Sequence, residues 1–539
     1  MANPPGDKTP TTVEERPEYM EYSSATRWII MAALIMGTLM QMIDTSIVNV
    51  AVPTMMGNLG ASLDEITWVT TGYMLANIIM LPLTAWFSSF FGRRKYLAGS
   101  MAVFTVASLL CGVSTTLGFL TFARILQGIG GAALISTAQA TMMEIFPPEQ
   151  LGTVQSIYGL GVIVGPALGP TLGGWIVDNM NWHWIFYINI PIGIIATIFT
   201  WTFMHDSKYK QKKQGKIDLI GIGLLAVGLG SLQLLLEKGQ KNGWFDSEFI
   251  IVLAVSAAVA LIAFVWWELT IENPVVNLRV LRHRGYTMGV LFGTVFGFGL
   301  YGGTFILPVF LQQIQRYTAF QTGLIMLPGV LVTALIMPFT NVIMKKMSPR
   351  WLIGLGVSAL SISMFMLMLL NADSNPMTLF WPLILRGIAM GIIWVPLTLA
   401  TLTILKGHEI AEGTSLFNLS RQLGGSMGIA VMTTFLANRI VFHHSVLLEH
   451  VSIYQSSIQQ RMAMMQAFLM SKGMSASAAY QQALSFMNRT ILGQASILGY
   501  EDVFLIMGLL FLSTIILLFF FEKSNLRKQR VKVEAEDFE

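Results

Sequence analysis

Fourteen stretches of mostly apolar residues run through this chain, each long enough to matter to a lipid bilayer, and they leave few folds open. A hydrocarbon layer is crossed by about 20 helical residues. Inside it every backbone N–H and C=O must find a partner within the chain. An all-α polytopic membrane protein follows. The stretches are 28–50, 66–88, 97–114, 118–143, 153–178, 183–204, 218–236, 248–268, 287–312, 321–344, 351–370, 377–403, 413–438 and 500–521. Composition agrees, since 12% of the 539 residues are charged, against about 25% in soluble domains. The single cysteine, Cys111, lies in an apolar run, which leaves no disulfide framework and no cysteine-based metal site. The first 27 residues are polar and acidic and hold no apolar segment. The span that starts at Trp28 is therefore expected to be an uncleaved anchor.

Lys and Arg set the orientation. With the N-terminus inside, 23 of the 33 basic residues fall on inside segments, among them Arg93–Lys95, the Lys208–Lys216 run and Lys523–Lys532. Both termini are then expected in the cytoplasm. A weak internal repeat has an offset of 259 residues: Gln127-Gly128-Ile129 falls on Arg386-Gly387-Ile388, and Gly165 and Gly169 fall on Gly424 and Gly428. Two parallel six-span halves are predicted, a pattern of rocking transporters with a midplane site. The expected divisions are an inside tail 1–27, a first half 28–204, a two-helix insert 205–286, a second half 287–521 and an inside tail 522–539. The second half carries a long outside connection, 439–499. Ile458, Met462, Met465 and Leu469 predict one helix there, and Ser475 caps a second through Ile491, giving either a hairpin on the rim or a docking surface.

Asp44 is the least expected residue. It sits mid-way in the first apolar run, with Arg27 and Arg93 its nearest basic residues in sequence. An acid at that depth costs about 2.5–3.5 kcal/mol on insertion scales and points to function. Its counterpart at the repeat offset is Gly303. Arg124 is the second costly charge. Its guanidinium suits either the tuning of a nearby carboxylate or the satisfaction of backbone carbonyls. Gln41, Asn49, Asn77, Gln139, Gln155 and Tyr158 are polar groups in or near spans, fit to line a cavity or to bond helix to helix. In the fifth span Gly161, Gly165, Gly169 and Gly173 recur every four residues and share one helix face, which permits close backbone approach. Pro166 and Pro170 interrupt the same helix. Tight packing would explain the glycines, and a hinge or sliding seam explains glycines and prolines together.

These motifs together resemble the major facilitator superfamily, and within it the fourteen-span drug:proton antiporters, nearest to the pumps of tripartite multidrug exporters. The carriers are Gly161–Gly174, Phe122–Gly130, Ile43–Pro53, Trp182–Pro191 and the long segment near the C-terminus. The resemblance implies proton coupling through Asp44 and Arg124, lipophilic small-molecule substrates, and no cofactor beyond the proton gradient. It also implies a bacterial inner-membrane location, with a periplasmic adaptor of the membrane-fusion type and an outer-membrane channel as partners. One departure stands out. The loop motif between the second and third spans keeps Gly92, Arg93 and Arg94, but Ser89 stands where the family has Asp, so a charge relay through that acid does not carry over.

Other chemistries find little support. Gly297–Gly302 fits a dinucleotide glycine pattern but lies in an apolar span without a preceding strand. The sequence contains no GK[ST], and hence no phosphate loop of that kind. The Lys208–Lys216 run reads as topogenic rather than as a nucleic-acid patch. His443, His444 and His450 lack a metal-ligand pattern. Export of an endogenous lipid, siderophore or metabolite remains as the alternative. A membrane-embedded transferase or a passive channel stands behind it.

Overall fold

The structure, a computed structural model, describes residues 21–206, 218–372, 374–451 and 455–518. Most of the expected inside tail 1–27, the Lys208–Lys216 run and the tail 522–539 lie outside the described residues. In chain order the helices are α1 Ser24–Leu59, α2 Leu63–Ile66, α3 Trp68–Phe91, α4 Arg93–Gly112, α5 Leu117–Ile145 and α6 Leu151–Asn179. Then follow α7 Trp184–Tyr187, α8 Asn189–Phe203, α9 Leu219–Lys238, α10 Glu248–Thr270, α11 Arg284–Gln313 and α12 Ala319–Met344. The last are α13 Pro349–Leu367, α14 Pro376–Leu402, α15 Glu409–Glu449, α16 Ser456–Ser471 and α17 Ala476–Leu518. With α2–α3 and α7–α8 each taken as one span, fourteen helices among the described residues are long and apolar enough to cross a membrane.

Helix ends follow capping chemistry rather than hydropathy. The Ser23 hydroxyl accepts from the Thr26 amide at 3.1 Å and starts α1 four residues before the apolar run. Gly60, at φ 60°, closes it nine residues after Val50, in the left-handed conformation that glycine adopts without penalty. The larger difference is in 439–499, expected as a connection carrying two short helices. The first of these is α16. The second is no separate element: it is the start of α17, which runs unbroken from Ala476 into the last span. Ser475 does cap it, accepting from the Ala478 amide at 3.4 Å. No proline interrupts 476–518, and polar residues such as Gln481, Gln482 and Asn488 are ordinary in a helix outside the bilayer. Hydropathy loses such a helix at the membrane boundary, whereas the backbone has no reason to stop. At about 1.5 Å per residue, the 41 residues of α15 and the 43 of α17 greatly exceed a hydrocarbon core. Both helices project beyond the bundle, with α16 folded back on α17.

Two sets of helices pack alike. α1 lies on α6, α3 on α5, and α4 between α5 and α8. In the second set α11 lies on α15, α12 on α14, and α13 between α14 and α17. α9 and α10 pair with each other, and α9 rests on both α3 and α15. The sets meet chiefly along α6 and α12. Polar bonds cross between them toward the end of the bundle that carries Arg93. The Ser156 hydroxyl donates to the Met337 carbonyl at 3.0 Å, and the Asn418 amide to Gln139 Oε1 at 2.8 Å. Asn341 Nδ2 donates to Thr153 Oγ1 at 3.1 Å, and Gln422 Nε2 to Asn77 Oδ1 at 3.2 Å.

The glycine face of α6 is turned to α1. A Cβ at Gly161 would touch Leu39, at Gly165 it would strike Met42, at Gly169 Ser46, and at Gly173 Ile47 at 2.8 Å. These four contacts climb α1 on either side of Asp44. Other glycines of the same helix, Gly159 and Gly174, face Trp394 and Phe320 of the second set. Overpacking such a seam costs about 1–3 kcal/mol. Gly165→Val should therefore lower the thermal midpoint of the purified protein by several degrees. Gly223→Ala, with nothing within 4 Å of its added Cβ, should leave it in place. Equal midpoints for the two variants would contradict this packing.

Candidate functional site

Asp44 and Arg124 meet. Arg124 Nη1 lies 2.5 Å from Asp44 Oδ2, with the side chains 1% and 0% exposed. The pair is sealed from solvent, so each charge depends on the other and on the polar groups around them. Gln127 Nε2 donates to Asp44 Oδ1 at 2.9 Å, and Asn189 Nδ2 donates to the same oxygen at 3.1 Å. Both amides also reach Ser108 Oγ, at 3.2 and 3.1 Å. Arg124 gives further bonds to Gln127 Oε1 at 2.6 Å and to the Val69 carbonyl at 3.2 Å. Its guanidinium carbon stands 4.2 Å from the centre of the Tyr73 ring. The carboxylate thus accepts three bonds, and the cation has a carboxylate, an amide, a carbonyl and an aromatic face.

Five helices build this cluster: α1 brings Asp44, α3 Tyr73, α4 Ser108, α5 Arg124 and Gln127, and α8 Asn189. The sequence reading proposed Asp44 and Arg124 and left their contact open. It missed Gln127, Asn189, Ser108 and Tyr73 as partners. Gln127 follows Arg124 by three residues and so shares its helix face. Asn189 is the one amide in Trp182–Pro191, a largely aromatic and aliphatic run.

The six polar residues proposed for a cavity scatter. Gln41 is buried next to the cluster, where a Cβ on Gly131 would meet Tyr73 Oη at 3.0 Å and Gln41 Nε2 at 3.4 Å. Asn49 is exposed and bonds to Thr45 of its own helix. Asn77 donates to the Gly128 carbonyl at 3.4 Å, and Tyr158 to the Ile135 carbonyl at 3.0 Å. Gln139 donates to Gln155 at 3.2 Å and accepts from Asn418. Five of the six thus sit among packed helices, and the contacts of Asn77, Gln139, Gln155 and Tyr158 run from helix to helix. A partly open, mostly apolar cavity lies elsewhere. Its walls come from α6, α11, α12 and α14, including Val162, Pro166, Tyr301, Thr304 and Arg386, and none of the six lines it.

The loop motif has its acids after all, from the end of α5 and from the segment just past α8. Gly92 has φ 91°, and a Cβ there would meet Asp206 Oδ1 at 2.6 Å. The Arg94 amide donates to that same oxygen at 3.2 Å, and the Arg94 guanidinium lies 4.6 Å from the Trp201 ring. Arg93 pairs with Glu144. Ser89, in the position of the family's Asp, donates to the Trp86 carbonyl of its own helix at 2.8 Å. Among the described residues there is no cluster of three or more His, Cys, Asp or Glu fit to hold a metal ion.

Sequence and structure comparisons agree with this architecture. The family profile of the Major Facilitator Superfamily matches residues 34–429. The Multidrug export protein EmrB of Haemophilus influenzae is 35% identical over 494 residues, 91% of this chain and 95% of that protein. The Fatty acid resistance protein FarB of Neisseria gonorrhoeae is 34% identical, over 91% of this chain and 94% of its own length. Among solved structures, the human organic anion transporter TETRAN superposes with a TM-score of 0.59 at 11% identity, covering 91% of this chain and 99% of the transporter. That likeness speaks for the fold alone. The chain belongs to the major facilitator superfamily and, within it, to the EmrB-like group.

Proposed function

We propose that this protein is a proton-coupled antiporter that exports lipophilic drugs or other toxic compounds across the bacterial inner membrane, with both termini in the cytoplasm. The observation that carries the coupling is the sealed Asp44–Arg124 pair. The mechanism begins with the sign of its charge. An isolated acid would be cheaper to enclose when protonated. Asp44 is not isolated. Ionised, it forms a neutral unit with Arg124; protonated, it leaves a buried cation whose only carboxylate is gone. The enclosed arrangement therefore holds the two charges together, and proton uptake favours an arrangement in which Arg124 is better solvated. Protonation also removes the acceptor that draws Arg124, Gln127 and Asn189 onto α1, which loosens α1 from α5 and α8.

α1 transmits the change because its neighbour along the Asp44 stretch is the glycine face of α6. Gly161, Gly165, Gly169 and Gly173 let α1 shift against α6 without large side chains locking the register, while Pro166 and Pro170 lower the resistance of α6 to bending. α6 is also the main contact with the second half. A proton on Asp44 thus biases which side of the bundle is closed, and cargo in the cavity between α6 and the second half biases the same equilibrium. Two six-helix halves rock about this seam, and the α9–α10 pair bridges them from outside. Arg93 and Arg94, held by Glu144 and Asp206, anchor the inside face. Gln41 and the amides at Asn77, Gln139 and Gln155 fasten and release as the halves move.

The tripartite reading adds a periplasmic adaptor of the membrane-fusion type and an outer-membrane channel; it rests on the resemblance of the chain's motifs to the pumps of tripartite exporters. Deletion of the adaptor gene beside intact pump should abolish resistance if the assembly is real.

Two measurements test the coupling. Asp44→Asn, reconstituted in proteoliposomes with an imposed pH gradient, should insert and fold but lose gradient-driven drug export by at least tenfold. Export equal to wild type would remove Asp44 from the mechanism. Arg124→Gln leaves a buried carboxylate without its cation and should cost about 3–5 kcal/mol of stability. The double variant Arg124→Gln with Asp44→Asn should regain most of that loss in melting temperature. A double variant no more stable than Arg124→Gln alone would contradict the pairing.

A further inference from the structure

The α9–α10 pair is fastened to the two sets of helices in unequal ways. Along its length α9 lies over the line where α3 meets α15. Leu225 and Leu229 cluster there with Ile78 and Leu81 of α3 and Leu419 of α15. At the end of the bundle opposite Arg93, the polar bonds of the pair run mostly to the first set. The Thr71 hydroxyl donates to the Glu237 carboxylate. Lys238 Nζ donates to Thr67 Oγ1 at 2.9 Å and stands 5.7 Å from the centre of the Trp68 ring. Lys241 pairs with Asp64. Toward the second set, among the described residues, one polar bond is made at this end: Trp244 Nε1 donates to Thr434 Oγ1 of α15 at 3.0 Å.

Trp244 is held in an unusual conformation. The turn that ends α9 folds back on itself, and the Trp244 amide donates to the Gly239 carbonyl at 2.8 Å. The indole presses on Gly239, where a Cβ would come within 2.6 Å of the ring. Gly243 has φ 71° and Trp244 φ 54°. Glycine takes that left-handed conformation freely. A bulky residue keeps it only where its surroundings leave no alternative. A tryptophan at the edge of a bilayer ordinarily serves as an anchor, with its ring among the headgroups. Here Phe245 takes the exposed place, at 65%, and Trp244 is half-buried with its N–H turned to α15.

The imbalance matters when the halves move. The polar bonds made directly between the two sets lie toward Arg93. Rocking that parts the halves at the other end draws α15 away from α3 beneath α9. The pair then has three polar attachments on one side and one on the other, and the single bond is the weaker hold. We infer that the α9–α10 pair travels with the first half and that Trp244 is a catch. Its bond to Thr434 closes when α15 lies against the pair and opens when the halves part at that end. Trp244 and Thr434 are thus positioning residues that set how readily the bundle opens away from Arg93. This rests on the reading of the chain as a transporter with rocking halves.

The experiment is pulsed electron paramagnetic resonance on the full-length protein in nanodiscs, at acid and at alkaline pH. Spin labels go on exposed positions, so that the catch itself stays intact. Phe245→Cys with Val431→Cys reports the pair against α15, and Leu63→Cys with Asn242→Cys reports it against the first half. Cys111 is fully buried and stays unlabelled. The labels facing α15 should show two distances, and those facing the first half one. Trp244→Phe keeps the ring and removes the N–H. It should raise the ratio of the longer to the shorter distance about twofold to tenfold, the range of one hydrogen bond. Thr434→Val removes the acceptor and should do the same, so either variant carries the test if the other fails to fold. The two together should shift the ratio no further than one alone. A single distance to α15 at both pH values overturns the inference. So does a second distance to the first half, or a ratio left unchanged in the folded variants. A single distance to α15 beside intact gradient-driven export would sink the catch alone, and two distances without gradient-driven export would sink the antiport alone.

Discussion

A carboxylate and a guanidinium closed off together in an apolar layer fix much of what this protein can be. Neither Asp44 nor Arg124 is tolerable there alone, and the pair is tolerable only with its remaining lone pairs and protons satisfied. Gln127, Asn189, Ser108 and the Val69 carbonyl meet that demand. Because these groups come from five helices, the pair also specifies how those helices sit. The hydrophobic layer itself gives little preference among helix arrangements, since lipid is as apolar as leucine. Small residues and polar contacts then decide the packing. The α6 glycines bring one backbone against α1 on both sides of Asp44, so this costly residue lies along a close helix contact.

The two halves share a scaffold and differ in charge. The first holds a complete ion pair and is neutral at its centre. The second holds Arg386 and Arg421, neither with a carboxylate within ion-pair distance among the described residues, and presents Arg386 to a cavity. On our reading the first half handles protons and the second handles cargo, and α6 lies between them. Competition between proton and cargo then needs no shared residue. It needs only that both bias the same movement of α6 and its neighbours.

The sequence made much of this legible, and its silences have physical causes. The spans could be read because hydrocarbon imposes a length. The α6 stripe could be read because four-residue spacing places glycines on one face. Asp44 and Arg124 stood out because a charge in an apolar run is rare. Their contact could not be read, since 80 residues separate them and no local pattern encodes a distant neighbour. The same holds for Asn189 with Asp44, and for Asp206, which accepts from the Arg94 amide from just past the end of α8. Ser89 signalled a missing acid, and nothing nearby said where its replacement would come from. The outer segment was misdivided for a different reason. Hydropathy marks where a helix leaves lipid, and α15 and α17 continue past that point as ordinary water-exposed helices.

The central claim is that Asp44 is the group that gains and loses the proton, against the pull of Arg124. An infrared difference spectrum of the reconstituted protein between acid and alkaline pH tests it directly. The account predicts a protonated-carboxyl C=O band that appears on acidification and is absent in Asp44→Asn. A band that persists unchanged in Asp44→Asn would contradict the account.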